Sequence, residues 1–253
     1  VMFSTELLQD HLKTELLGRE IHYQPETNST NTDAWKHINE CKEGAVFITD
    51  NQQNGRGRRQ NKWVSSKNKS LTFSFILYPQ IELDKLGLLP LLTGVSIVQG
   101  IRSSTSIQTG LKWPNDIILN QKKMGGILIE SRSTSNGLAI VVGVGLNINE
   151  TDKNISSFLK YEVTSLDIHS GKQFSRERIL SEILNEFEIL YTEPRDSIIS
   201  NWKRYCIHED SKVVFHTENG RHEGIFCGIA SNGHAEIQIN GETQTFATGM
   251  VKL

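Results

Sequence analysis

Three Asn-Gly pairs, at residues 219–220, 232–233 and 240–241, fall after residue 206. An Asn-Gly step readily supplies the two left-handed residues of a tight hairpin turn. Between them lie short runs rich in β-branched and aromatic residues, at Val213–Phe215, Gly224–Phe226, Ala235–Ile239 and Thr243–Phe246. A stretch of about 45 residues made of hairpins closes most readily as a small β-barrel module. The spacing therefore predicts a seam near residue 206, dividing the chain into residues 1–205 and 206–253.

The longer part mixes two periodicities. Leu7, Leu8, Leu12, Leu16 and Leu17 predict a helix over residues 4–17 that ends at Gly18, and the cap formers Asn28-Ser29-Thr30-Asn31 predict a second helix ahead of Ala34, Trp35 and Ile38. Residues 45–49 and 71–78 read as strands. Apolar residues at 88, 91, 92, 95, 98 and 101 predict a buried helix leading to a strand at Asp116–Leu119. Two more strands, 127–129 and 138–142, are joined by the turn-rich 133–137. Ser175 is placed to cap a helix striped by Ile179, Leu180, Ile183, Leu184, Phe187, Leu190 and Tyr191. The fold class is α+β, a mixed sheet with flanking helices plus the terminal module.

Charge and composition remove several function classes. With 27 basic and 29 acidic residues among 253, the formal net charge is −2, which gives no long-range attraction for nucleic acid or anionic lipid. No apolar run approaches the ~20 residues of a membrane span, and the N-terminus shows no signal-peptide pattern. Cytoplasm is the expected compartment. Cys41, Cys206 and Cys227 are odd in number without CxxC spacing, and no histidines pair as in HExxH, so no metal site of protein ligands is read from the pattern.

Four short segments invite chemistry. Residues 51–70 carry six cations, no acid and two glycines, concentrated in Gly55-Arg56-Gly57-Arg58-Arg59. Forked guanidinium donors on a flexible backbone can fold around an anion. Unpaired, those cations repel one another, so the loop is expected to be mobile until a ligand neutralises it. A solvated basic loop is the alternative. In Lys112-Trp113-Pro114-Asn115-Asp116 the proline biases Trp113 to an extended conformation, and the turn that follows sets polar groups at a strand end. Lys122-Lys123-Met124-Gly125-Gly126 offers a cation beside two glycines that permit close approach of a ligand, unless it is merely a hairpin with surface lysines. Gly143-Val144-Gly145-Leu146-Asn147 weakens an apolar strand unless something lies flat against it, and it lacks the GxGxxG fingerprint of a dinucleotide site. Together they supply cations and glycine-lined walls but no nucleophile beside a base. The reaction implied is one that aligns reactants and screens charge, such as nucleotidyl transfer.

In composition, order and spacing, Ser29-Thr30-Asn31, Gln52 to Arg59 with Trp63, Lys112 to Asp116, Lys123 to Leu128 and Gly143 to Asn147 resemble the biotin protein ligases. The resemblance implies a class II synthetase-like, biotinyl/lipoyl-ligase catalytic domain over residues 1–205 and an SH3-like domain over 206–253. It leaves no room for the helix-turn-helix domain of members that double as repressors, which points to the ligase-only class. Biotin and Mg·ATP would give biotinyl-5′-AMP and pyrophosphate, and the acyl group would pass to a lysine of the biotin carboxyl carrier domain of a carboxylase. By position, Ser29, Thr30, Asn31, Gln52, Gly55, Arg56, Gly57, Arg58, Arg59 and Lys123 would contact biotin or its adenylate. Gly126, Leu128 and Gly143 would line the biotin pocket. Trp63, Asn115, Asp116 and Asn147 fall where the family holds ATP and its metal. Lys123 and Arg58 would be catalytic, and Asp116 would orient or help deprotonate the acceptor lysine. Where the family loop commonly continues Gly-Arg, this chain has Gln60-Asn61, with Lys62 as substitute cation. The resemblance implies no DNA or membrane partner and allows a homodimer. Two alternatives remain: a lipoate-type ligase and a nucleic-acid-binding module.

Overall fold

A computed structural model describes residues 1–79, 83–135, 137–155, 163–217 and 220–252. The chain runs through α1 (Thr5–His11), β1 (Ile21–Gln24), α2 (Thr30–Lys36), β2 (Val46–Thr49), β3 (Gly55–Arg56), β4 (Lys62–Trp63), β5 (Leu71–Leu77) and α3 (Leu89–Thr105). It continues through β6 (Gly110–Lys112), β7 (Asp116–Leu119), β8 (Lys122–Thr134), β9 (Gly137–Leu146), α4 (Asp152–Ile155), α5 (Leu166–Ser170), α6 (Arg176–Tyr191) and α7 (Arg195–Tyr205). The terminal strands are β10 (Lys212–Thr217), β11 (Gly220–Ile229), β12 (Ala235–Ile239), β13 (Glu242–Phe246) and β14 (Met250–Lys252).

Every residue of β2 and β5 is buried, which requires a layer on both faces of their sheet. That sheet has seven strands in the order β1-β2-β5-β9-β8-β7-β6, with β1 and β2 parallel and the other neighbours antiparallel. One face carries Phe73, Phe75, Ile140, Val142, Val144 and Leu146 into the main core beneath α3 and α6. On the other face, Ala34 and Trp35 of α2 cover Phe47, Ile76, Ala139 and Val141. This second cluster stops there. The next residues on that face are Ser74 and Thr72 of β5, paired with Gly143 and Gly145 of β9, which pair in turn with Leu128 and Gly126 of β8. The change from apolar to small or polar residues leaves a cleft beside the N-terminus of α2.

Residues Leu86–Thr105 are long and apolar enough to cross a membrane, but most of the segment is buried, with Leu91, Val95, Val98 and Ile101 inside the core. The helix expected over residues 4–17 is shorter than its leucine spacing suggests, because α1 ends at His11. Beyond it, the Glu188 carboxylate accepts the backbone N–H groups of Glu15, Leu16 and Leu17, and Asn185 accepts that of Lys13. Side chains of α6 thus outbid the helical ladder. Ser175 caps α6 as expected, its hydroxyl accepting the N–H of Arg178.

The terminal strands form a five-stranded antiparallel sheet in the order β13-β12-β11-β10-β14. Asn240 and Gly241 both have positive φ, 53° and 89°, and turn β12 tightly into β13. Asn232-Gly233 sits in a longer turn closed by the bond from Ala230 N–H to the His234 carbonyl. Asn219 lies outside the described residues, as does Asn136 of the predicted 133–137 turn. Strand β14 carries no local strand signal; it forms by pairing with β10 in the register Phe215 to Val251. Phe215, Phe226, Ile237 and Val251 belong to the same buried cluster as the body.

Candidate active site

The floor of the cleft is made by absence. A Cβ on Gly143 would overlap the Asn31 side chain, and one on Gly145 would overlap the Trp63 indole. Glycine at these positions lets two side chains lie directly on the sheet. Asn31 is fixed from two sides, accepting the Ser74 hydroxyl at 2.6 Å and donating from Nδ2 to Glu130 at 2.9 Å. Ser29 is the N-cap residue of α2 but its side chain makes no cap bond; Gln52 Oε1 accepts the Thr30 N–H at 2.9 Å instead. That bond satisfies one orphan donor of the helix and ties Gln52 to the cleft.

The opposite wall is charged. Lys112 and Asp116 face each other across β6 and β7, and Lys123 reaches the same carboxylate from β8, with Nζ 2.5 Å from Asp116 Oδ1 and that of Lys112 3.6 Å from Oδ2. Lys123 keeps about a third of its side chain exposed. Asn115 is held through Nδ2 by the Ile127 carbonyl at 2.8 Å, while its Oδ1 accepts Arg58 Nη1 at 3.2 Å. The Trp113–Pro114 peptide is cis, and buried Trp113 donates from Nε1 to the Gly233 carbonyl at 3.4 Å, joining this turn to the terminal sheet.

Between floor and wall, β3 and β4 form a small hairpin whose tip is one 3₁₀ turn, with Arg59 at φ 52°. The expectation of unpaired loop cations needs correction. Arg56 makes a two-pronged contact with Glu130, at 2.9 Å on each oxygen, Arg58 meets Asn115, and Arg59 donates to the His216 carbonyl at 3.3 Å. Glu130 also accepts Trp35 Nε1 at 3.2 Å, so one carboxylate gathers the loop, α2 and Asn31. Burial first, and Arg59 second, hold the Arg58 guanidinium below its ordinary pKa, with Asp116 opposing them.

One cleft collects Ser29, Thr30, Asn31, Gln52, Arg56, Gly57, Arg58, Arg59, Trp63, Asn115, Asp116, Lys123, Gly126, Leu128 and Gly143. Two predicted residues do not join them. Asn147 spends its polar groups internally, its N–H on the Met124 carbonyl at 2.8 Å and its Nδ2 on the Thr164 carbonyl at 3.1 Å. Gly55 lies under the Trp63 backbone, where a Cβ would overlap the Trp63 carbonyl. Gly125 likewise serves packing, since a Cβ there would overlap Leu146, and only Gly126 of that pair faces the cleft.

Residues 23–147 match the model of the Biotin/lipoate A/B protein ligase family. The Bifunctional ligase/repressor BirA of Bacillus spizizenii is 35% identical over 228 residues, spanning 88% of this chain and 70% of its own. The chain belongs to the biotin protein ligase family. The Biotin--[acetyl-CoA-carboxylase] ligase of Mycobacterium tuberculosis is 26% identical over 259 residues, covering 95% of this chain and 93% of that one. Among solved structures, the biotin protein ligase from Aquifex aeolicus in complex with biotin and ATP superposes with a TM-score of 0.81 at 25% identity, covering 92% of this chain and 99% of that one. The mixed sheet and terminal module expected from the sequence are thus the fold of this family.

The cleft of this ligase is also framed by residues that the sequence pattern did not reveal. Glu130 lies in the second half of β8, where the strand turns polar, and looks like any solvent-facing acid until Arg56, Asn31 and Trp35 are seen around it. Thr72 of β5, Gly249 just before β14 and Val251 within it line the cleft as well. The two from the terminal sheet carry no local signal, because only the pairing of β14 with β10 brings them there.

Proposed function

We propose that this ligase activates biotin with ATP to biotinyl-5′-AMP and pyrophosphate, then transfers biotin to a lysine of a biotin carboxyl carrier domain. One observation supports it above the rest: five segments far apart in sequence meet in a single cleft with a glycine floor and a cationic wall. A carboxylate attacking an α-phosphate brings two anions together, so the dominant need is preplaced positive charge. Lys123, Arg56 and Arg58 supply it. Biotin is assigned to the floor, over Gly143, Gly126 and Leu128, with Ser29, Thr30, Asn31 and Gln52 reading its polar atoms. ATP is assigned to the side of Trp63, Gly57, Arg59, Asn115 and Asp116. Lys62, which lines the cleft two residues after Gln60, is the cation that replaces the missing loop arginine.

A Mg²⁺ ion entering with ATP needs few protein ligands, because it is held by one or two carboxylates together with substrate phosphates. Asp116, the carboxylate among the residues lining the cleft, would hold it once the ATP phosphates draw Lys123 and Lys112 away from its oxygens. In the transfer step the same Asp116 is positioned to receive and orient the acceptor's ammonium. Residues 1–205 act as the catalytic domain and 206–253 as the SH3-like domain. Three free cysteines suit a reducing, cytoplasmic setting.

The test is pyrophosphate release by the purified chain with ATP and Mg²⁺, comparing biotin with lipoate. Release with biotin alone is expected; release with lipoate alone would transfer the assignment to the lipoate branch.

A further inference from the structure

At the outer edge of the seven-stranded sheet, β1 and the segment after α2 bring Glu20, His22 and Cys41 together, and none of the three lines the catalytic cleft. His22 Nε2 lies 2.7 Å from Glu20 Oε1 and 3.3 Å from Cys41 Sγ, and the three ligand atoms fall within 4.8 Å of one another. In a nucleophile-histidine-acid relay the nucleophile and the acid use opposite nitrogens of the imidazole. Here both meet Nε2. A sulfur, a nitrogen and a carboxylate oxygen converging on one point form a coordination triangle instead.

The dimensions suit a tetrahedral ion. Zinc–ligand bonds of about 2.0 to 2.3 Å separate sulfur from nitrogen by about 3.6 Å and nitrogen from oxygen by about 3.4 Å. The cysteine-histidine pair is within a few tenths of that, and Glu20 would withdraw by about 0.7 Å to make room for such bonds. The Glu20 side chain, about a third exposed, can do so, while ring stacking holds His22 and burial holds Cys41. The His22 ring stacks on Phe47 at 4.5 Å with 5° between planes. Cys41 is buried, its N–H donating to the His37 carbonyl at 3.0 Å and its own carbonyl accepting the Tyr78 hydroxyl at 3.3 Å.

The geometry points to a cation site in which Cys41 Sγ, His22 Nε2 and a Glu20 oxygen bind one thiolate-accepting divalent transition ion of the Zn²⁺ class, with water completing the tetrahedron. Two anionic ligands neutralise the dication, and a sulfur ligand disfavours Mg²⁺. The bound ion pins the connection between α2 and β2 to β1, at the opposite end of the helix from Thr30 and Asn31. Binding displaces the Cys41 thiol proton to solvent, because the thiolate is the ligand.

Co²⁺ titrated into the reduced 253-residue chain tests this directly. One equivalent is expected, with thiolate-to-cobalt charge-transfer absorption that Zn²⁺ displaces. Cys41→Ser and His22→Gln are expected to lose that absorption and at least about 10-fold in affinity, whereas Cys206→Ser and Cys227→Ser keep both. Circular dichroism of each variant separates lost binding from lost folding, and the wild-type absorption alone reports thiolate ligation if a variant misfolds. No charge-transfer band in the wild-type chain would show that the cluster is only hydrogen-bonded, and a band that survives Cys41→Ser would place the ion elsewhere. Either result overturns the site.

Discussion

The two sides of the cleft are built on opposite principles. The floor on β8 and β9 consists of backbone locked in sheet register, with Gly143 and Gly145 leaving space that Asn31 and Trp63 occupy. Hairpin β3–β4 above it is held by side-chain contacts of Arg56, Arg58 and Arg59 to Glu130, Asn115 and the His216 carbonyl. Only the Arg56–Glu130 contact is an ion pair, and a partly exposed pair contributes about 0.2 to 1 kcal/mol; the other two are single hydrogen bonds to neutral acceptors. Opening the hairpin breaks a few such contacts, whereas deforming the floor breaks the sheet. Under the proposed assignment of the ligands, the rigid side reads shape and the side that opens more easily grips charge.

Lys123 stands where the two meet, and its loss is the largest effect expected. Lys123→Ala should remove about 2 to 4 kcal/mol of transition-state stabilisation, slowing biotinyl-AMP formation roughly 30- to 1,000-fold with the fold intact. Pyrophosphate release at the wild-type rate would take Lys123 out of the reaction. Next is the floor itself. Gly143→Ala forces Asn31 off its bonds to Ser74 and Glu130, an overpacking cost of about 1 to 3 kcal/mol that should appear as weaker biotin binding in calorimetry. If every loop variant harms biotin binding more than this one, the division between shape and charge is wrong.

Arg58→Gly should act on retention rather than synthesis, since Lys123 still aligns the reactants while the β3–β4 hairpin loses a guanidinium and gains backbone freedom. Escape of labelled adenylate should quicken by about tenfold, the loss of one charge-assisted contact. Bystander lysines on an unrelated protein should then become biotinylated; unchanged escape and unchanged labelling would reduce Arg58 to a surface charge. Glu130→Gln should be milder, keeping an acceptor for Asn31 but weakening the Arg56 pair by about 1 kcal/mol or less. Limited proteolysis between residues 51 and 63 is the sensitive readout: faster cutting of the free variant, with biotin and ATP restoring protection in both forms. Equal cutting of wild type with and without ligands would make the hairpin as rigid as the floor.

Some of this architecture was legible because the cause is local. Asn240-Gly241 makes its turn with two residues that tolerate positive φ, and Ser175 caps α6 with its own hydroxyl. The paired glycines at 143 and 145 announced that something lies against β9. Where a distant group competes, local pattern fails. Leucines at helical spacing did not carry α1 past His11, because Glu188 offers the same N–H groups a better acceptor. Asn147 and Gly55 belong to motifs that enter the cleft, yet face packing partners rather than the cavity.

By itself the sequence determined many of the elements, the hairpin module and the residue types that gather charge around a glycine floor, because periodicity, capping and turn chemistry act over a few residues. Only the tertiary structure decided which of those residues share the cleft. It made Glu130 the anchor of the arginine loop and carried Val251 from the far end of the chain to the cleft wall. Register and side-chain direction across strands depend on partners that no local pattern specifies.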